Sequence, residues 1–218
     1  DTMAHARTIA ERELVSAIDN PMILPDGRVE SCGNFHGAPV GFVCDFLAIA
    51  ASELAAIAER RTDRMLDVAR SHGLPPFLSP DAGVNSGMMI AHYTQVSMAL
   101  ENQRLAVPAS TQSMPTSAMQ EDHVSNGWAA ARKLRRSIAN LRRVLAVEMV
   151  CAAAAIDLRT PLQPAAGTAA AVRVVRERVA GPGPDRWLSP DLRTAEQLLA
   201  DGSVLTAVEA AIGPLEVL

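Results

Sequence analysis

Of the 218 residues, 49% are hydrophobic, only 3% are aromatic and 20% are charged, for a formal net charge of −4. That apolar fraction suffices for a core, while scarce aromatics and abundant alanine favour close-packed helices over sheets. The acidic balance argues against nucleic acid or an anionic membrane as main partner, no uninterrupted apolar run reaches the roughly 20 residues of a membrane span, and three scattered cysteines without metal-ligand spacing suggest no metal site and a reduced, cytoplasmic setting.

The chain is periodic from its start, with Met3, Ala6, Ile9 and Leu14 on one face, which predicts a helix ending at Asp19-Asn20-Pro21. A chain that opens inside a helical pattern reads as the remainder of a longer polypeptide. Met22 to Glu30, folded about Pro25-Asp26-Gly27, reads as a small hairpin, the only strand content expected. In the loop from Ser31 to Pro39, two glycines and a proline bracket Asn34-Phe35-His36, and core packing alone explains that triplet poorly. From Val40 to Arg70 apolar residues at three-four spacing predict a rod of roughly 45 Å. Its charges Glu59, Arg60, Asp63, Arg64 and Asp67 read as a solvated or intersubunit face. After the break at Gly73-Leu74-Pro75-Pro76, Asn85 or Ser86 is expected to cap a third helix carrying Met88, Met89, Tyr93, Val96 and Leu100. The paired methionines read as core filler or as the lining of a pocket for a flat ring.

A polar, proline-punctuated loop from Pro108 to Ser117 leads through Gln120-Glu121-Asp122-His123-Val124-Ser125 into the longest pattern of the chain. Apolar residues from Val124 to Ile156 predict a spine helix over 122–158, roughly 55 Å long. A rod of that length serves other helices, in this chain or in partner subunits. Glu121 and Asp122 are expected at its first turn, where the dipole favours carboxylates, so their plain reading is an acidic cap. Arg132, Lys133, Arg135, Arg136, Arg142 and Arg143 form a basic cluster without the interleaved aromatics of a nucleic-acid face. Residues 161–218 read as a region of short helices, one reaching about Ala180, then a Gly-Pro-Gly-Pro linker at 181–184 and a last helix from Pro190-Asp191 through Leu199. The fold class is therefore all-α, with long helices forming the central bundle of an oligomer and one small hairpin near the N-terminus.

Asn34-Phe35-His36, Asn85-Ser86-Gly87-Met88-Met89 and Gln120-Glu121-Asp122-His123-Val124-Ser125 resemble, in this order and spacing, three motifs of the histidine ammonia-lyase branch of the aromatic amino acid ammonia-lyase family. Asp19-Asn20-Pro21, Ala58-Glu59-Arg60-Arg61, Pro108-Ala109-Ser110 and Leu145-Ala146-Val147-Glu148 look like that family too. The resemblance extends over residues 1–218 and makes them the C-terminal helical portion of a subunit. It implies a homotetramer with active sites assembled from several subunits, and elimination of ammonia from L-histidine to give trans-urocanate. The implied electrophile is a methylidene-imidazolone made by self-cyclisation of an internal Ala-Ser-Gly. This chain contains no Ala-Ser-Gly, and it lacks the family's proton-abstracting loop tyrosine, so alone it is expected to be inactive.

By the same resemblance Phe35 packs beside the electrophile, a catalytic and cofactor-binding position, while Met89 and Ser117 line the substrate's ring pocket. Glu121 is the catalytic and substrate-binding carboxylate that distinguishes the histidine branch, since the phenylalanine and tyrosine branches generally carry glutamine there. Imidazole offers ring nitrogens to a carboxylate, and a charged hydrogen bond contributes roughly 1.5–3 kcal/mol where a phenyl ring would leave the carboxylate unpaired. Asn126 departs from the pattern, standing where the family usually has methionine. Two other readings stay open: an aminomutase, or a tyrosine- or phenylalanine-using lyase, of the same family, and a non-catalytic helical oligomerisation module. The last would account for the rods but not for the Gly-Asn-Phe-His loop.

Overall fold

Alanine sets much of the architecture: it is the strongest helix former, it loses no side-chain rotamers on burial, and Ala48, Ala55, Ala58 and Ala130 are fully buried. The structure, a computed structural model, describes residues 1–216. Among them the elements are α1 (Thr2–Leu14), the hairpin β1 (Met22–Ile23) and β2 (Val29–Glu30), α2 (Ala38–Leu66), α3 (Met89–Leu105), α4 (Gly127–Asp157), α5 (Ala166–Arg176), α6 (Ser189–Ala200) and α7 (Ser203–Ile212). The strands pair antiparallel, with Met22 opposite Glu30. The fold is all-α, as the composition implies.

Neither Asn85 nor Ser86 caps α3, which starts at Met89, and three further expectations change. The spine helix starts at Gly127 rather than at Asp122, because Asn126 takes a left-handed φ of 52° that a right-handed helix cannot continue through. Its first turn holds no acidic residue, so the cap reading of Glu121 and Asp122 falls. Glu59 is not on a solvated face: it is 6% exposed and takes His92 Nε2 at 2.7 Å and the Arg60 guanidinium at 2.5 Å. Third, the region 161–218, whose last two residues lie outside the described ones, holds α7 besides the two expected helices.

The chain divides into two compact units, to both of which α2, α3 and α4 supply residues. The first comprises Asp1–Glu53 and Glu101–Ala139. Ala6, Val43, Ala48, Ala51 and Ala130 are buried in it, and Asn102 Nδ2 donates to the Ser137 carbonyl at 3.1 Å, joining α3 to α4. The second comprises Leu54–Leu100 and the residues from Asn140 on. Leu66, Leu78, Met88, Val147, Val150 and Val175 belong to its main apolar cluster, and Ala55, Ala58, Ala99 and Val144 to a smaller one. There Arg61 pairs with Glu148, Gln95 Nε2 donates to the Val144 carbonyl at 2.9 Å, and α5 packs on α7.

By length and hydropathy alone, α2 is the one described helix that would suit a membrane crossing. Its buried, ion-paired Asp45 and Glu59 are the pattern of a core helix in a helical protein.

Candidate functional site

Residues 116–121 build the acidic part of the site. Thr116 and Glu121 form an isolated antiparallel bridge, with Thr116 N–H donating to the Glu121 carbonyl at 3.0 Å and Glu121 N–H returning to the Thr116 carbonyl at 3.3 Å. Between them Ser117, Ala118 and Met119 have φ values of 51°, 52° and 72°. Ser117 and Glu121 therefore sit on one short left-handed turn, not on successive turns of an α-helix. Each L-residue held left-handed costs about 1–2 kcal/mol, and such strain persists where the surroundings over-determine it. Glu121 is half-buried and Ser117 exposed. Among the described residues the Glu121 carboxylate makes no hydrogen bond or ion pair, so the fold leaves it available to a ligand.

Phe35 lies on the loop between β2 and α2, 41% exposed. Asn34 Nδ2 reaches Glu13 on α1 at 3.3 Å and so fixes the base of that loop. The Phe35 and His36 rings lie 4.2 Å apart between centroids, and His36 meets His123 edge-on at 5.9 Å. Ser125 Oγ donates to the His36 carbonyl at 2.6 Å and accepts the Gly127 N–H at 3.2 Å. Two expected site segments, Asn34-Phe35-His36 and Gln120 to Ser125, are thus joined within the first unit by a pair of histidines and a buried serine. Asn126 suits its place: asparagine tolerates the left-handed region, and its side-chain amide donates to the Gln112 carbonyl.

Met89 belongs to the second unit, where it opens α3 half-buried beside the buried Met88. The turn before it is pinned from far along the chain. Asp185 accepts the Ser86 and Gly87 N–H groups at 2.7 and 2.9 Å, while Asn85 Oδ1 accepts the Asp185 N–H at 2.8 Å. Those two backbone donors hold the Asp185 carboxyl below its ordinary range. Sequence reading missed this residue, whose only local signal is its position after the Gly-Pro-Gly-Pro linker. A hollow of about 580 Å³ opens in the same unit beside Ile90, Met98, Leu188 and Leu192. Phe35, Met89, Ser117 and Glu121 do not line it. No cluster of three or more metal-ligating side chains occurs among the described residues.

Residues 1–177 match the model of the aromatic amino acid lyase family. The chain is similar to a histidine ammonia-lyase of Streptomyces avermitilis, 63% identical over 216 residues that make up 99% of this chain and 42% of that protein. Among solved structures it is similar to a histidine ammonia-lyase from Trypanosoma cruzi, with 38% identity and a TM-score of 0.91 over 97% of this chain and 42% of the other. It is equally similar in fold to a tyrosine aminomutase from Streptomyces globisporus, with 37% identity and a TM-score of 0.91 over 97% of this chain and 40% of that one. The chain thus spans well under half the length of the relatives it matches.

Proposed function

The chain belongs to the aromatic amino acid lyase family, and from that membership we propose that it is the C-terminal helical portion of a histidine ammonia-lyase, an enzyme that eliminates ammonia from L-histidine to give trans-urocanate. The observation that carries the reading is Glu121: a half-buried carboxylate without a partner among the described residues, on a turn tied through Ser125 to the Phe35-His36 loop. An imidazole N–H donating to that carboxylate forms a charge-assisted hydrogen bond, which a phenyl ring cannot make. Ser117, exposed on the same turn, offers a hydroxyl to the substrate. Met89 is assigned to the ring pocket by the family resemblance alone.

The electrophile belonging to this reading, a methylidene-imidazolone, supplies the electron sink for elimination. Its Ala-Ser-Gly precursor is absent from these 218 residues, so it comes from a segment outside them. What this chain offers it is the exposed ring of Phe35, an apolar face on a loop held by Asn34 and Glu13. The assembly in this reading is a homotetramer working in the cytoplasm on a small amino acid, without nucleic acid, membrane or metal.

The test is turnover of L-histidine by the full-length protein containing this chain, followed by the ultraviolet absorbance of urocanate, beside the 218-residue chain alone. Urocanate from the former and none from the latter is expected. Turnover of tyrosine or phenylalanine in preference to histidine would overturn the substrate, release of a β-amino acid would replace the lyase by an aminomutase, and turnover by the isolated chain would overturn the division of labour.

A further inference from the structure

Residues 107–126 connect α3 to α4, and everything from Thr111 to Gln120 is exposed. Such a segment, with Ser117, Ala118, Met119 and Asn126 in the left-handed region, cannot take its shape from apolar packing. Its shape comes from its attachments. At the far end Ser125 holds the His36 carbonyl. Midway, Ser113 Oγ accepts the Val124 N–H at 2.9 Å and Asn126 reaches the Gln112 carbonyl. At the near end the attachment is ionic. Asp45 on α2, 3% exposed, accepts the Ser110 N–H through Oδ2 at 2.8 Å and Lys133 Nζ through Oδ1 at 2.8 Å. Lys133, on α4, also donates to the Val107 carbonyl. One ion pair, with Asp45 buried and Lys133 half-buried, therefore ties α2, α4 and the start of the loop together. Burial pushes the Asp45 carboxyl up, but the bonds from Lys133 and Ser110 outweigh it and hold the group below its ordinary range.

The geometry points to Asp45 and Lys133 as positioning residues that clamp the start of the 107–126 loop and thereby hold Ser117 and Glu121 where the substrate meets them. The inference rests on the proposed role of Glu121. Removing the Lys133 cation frees the Val107 carbonyl and leaves the buried Asp45 carboxylate with the Ser110 N–H but no cation, so the loop's near anchor weakens and the left-handed turn relaxes. Glu121 then samples many positions, which raises KM and lowers kcat together.

The experiment compares Lys133→Met, Lys133→Arg and Asp45→Asn with the parent in the full-length protein, by amide hydrogen exchange and by histidine kinetics. In Lys133→Met, exchange at residues 107–122 is expected to quicken about tenfold while α2 and α4 keep their protection, with kcat/KM lower by about tenfold. Lys133→Arg keeps the cation and recovers most of both. Asp45→Asn keeps an acceptor for Ser110 without the charge and falls between, so the comparison survives should Lys133→Met fail to fold. Unchanged loop exchange would overturn the clamp, and so would exchange that quickens throughout α2 and α4 with normal kinetics in the folded fraction, the signature of a merely structural pair. A parent without histidine turnover would sink the proposed activity instead, while the exchange comparison would still decide whether the pair holds the loop.

Discussion

Replacing Glu121 by glutamine in the full-length protein is expected to separate the proposed substrate recognition from folding, because among the described residues the carboxylate makes no hydrogen bond or ion pair. Its backbone bridge to Thr116 does not depend on the side chain. Helix α4 begins at Gly127, so no dipole contribution is at stake, that effect being confined to the first turn. An exposed or half-exposed substitution without partners changes stability by within about 0.5 kcal/mol. Bound imidazole, by contrast, loses a charge-assisted hydrogen bond of about 1.5–3 kcal/mol, and at about 1.4 kcal/mol per decade kcat/KM should fall by roughly one to two orders of magnitude. Both readings come from one preparation: urocanate formation across a histidine series, and thermal unfolding in the same buffer. Normal kcat/KM with a lowered Tm would give Glu121 a structural task and leave the histidine reading without its main physical support.

Three further outcomes are expected. Gly87→Ala should destabilise by about 1–3 kcal/mol in urea unfolding, since Gly87 has φ +56° and its Cβ would stand 2.5 Å from the Phe77 carbonyl oxygen; an unchanged midpoint would contradict that close approach. Asp45 and Glu59 are both held below their ordinary values of 3.8 and 4.5, with burial opposing and the bonds from Lys133, and from Arg60 and His92, prevailing. Their contribution is complete above those ordinary values and is lost as pH falls from them through the lower folded values, so urea stability should decline on that acid limb, and Glu59→Gln should flatten it. Finally, burial and then the Glu148 charge push the Cys151 thiol up to about 12. Iodoacetamide on the native protein should label Cys32 first, Cys44 more slowly because burial and the Asp45 charge also push its thiol up, and Cys151 only on unfolding, as peptide mass spectrometry would read; equal labelling of Cys32 and Cys151 would refute the burial of Cys151.

The long helices were legible because three-four spacing and alanine run together through them, and the hairpin because Pro25-Asp26-Gly27 punctuates it. The start of α4 was not, since Val124 continues the apolar period while Asn126 turns left-handed, and periodicity carries no dihedral angle. Helix α7 escaped because Asp201-Gly202 reads as an ending and only ten residues, with Ser203, Thr206 and Glu209 as their one polar stripe, follow it. At the site, residue 121 read on its own as an acidic cap, and only the family resemblance singled out its carboxylate as a partner for the proposed imidazole substrate. The loop shape that presents it depends on Asp45, Lys133 and Ser125 meeting groups 65, 26 and 89 residues away. Asp185 meets Ser86 across 99 residues. Contacts of that range leave no local pattern.

The alanine lining of the second unit also bears on how stability varies with temperature. The heat-capacity change on unfolding follows the apolar area exposed, and a methyl group brings much less area to the interior than a leucine or phenylalanine side chain. With Ala55, Ala58, Ala91, Ala99, Ala146, Ala153, Ala154 and Ala195 buried where larger residues could stand, these positions lower the heat-capacity change and are expected to make the stability curve shallower. Its cold limb then lies further below ambient temperature. The methyls themselves have no torsion with which to yield, so an added carbon at Ala58 or Ala99 is taken up by the Met98, Leu141 and Leu145 side chains packed against them or by the helices that carry them.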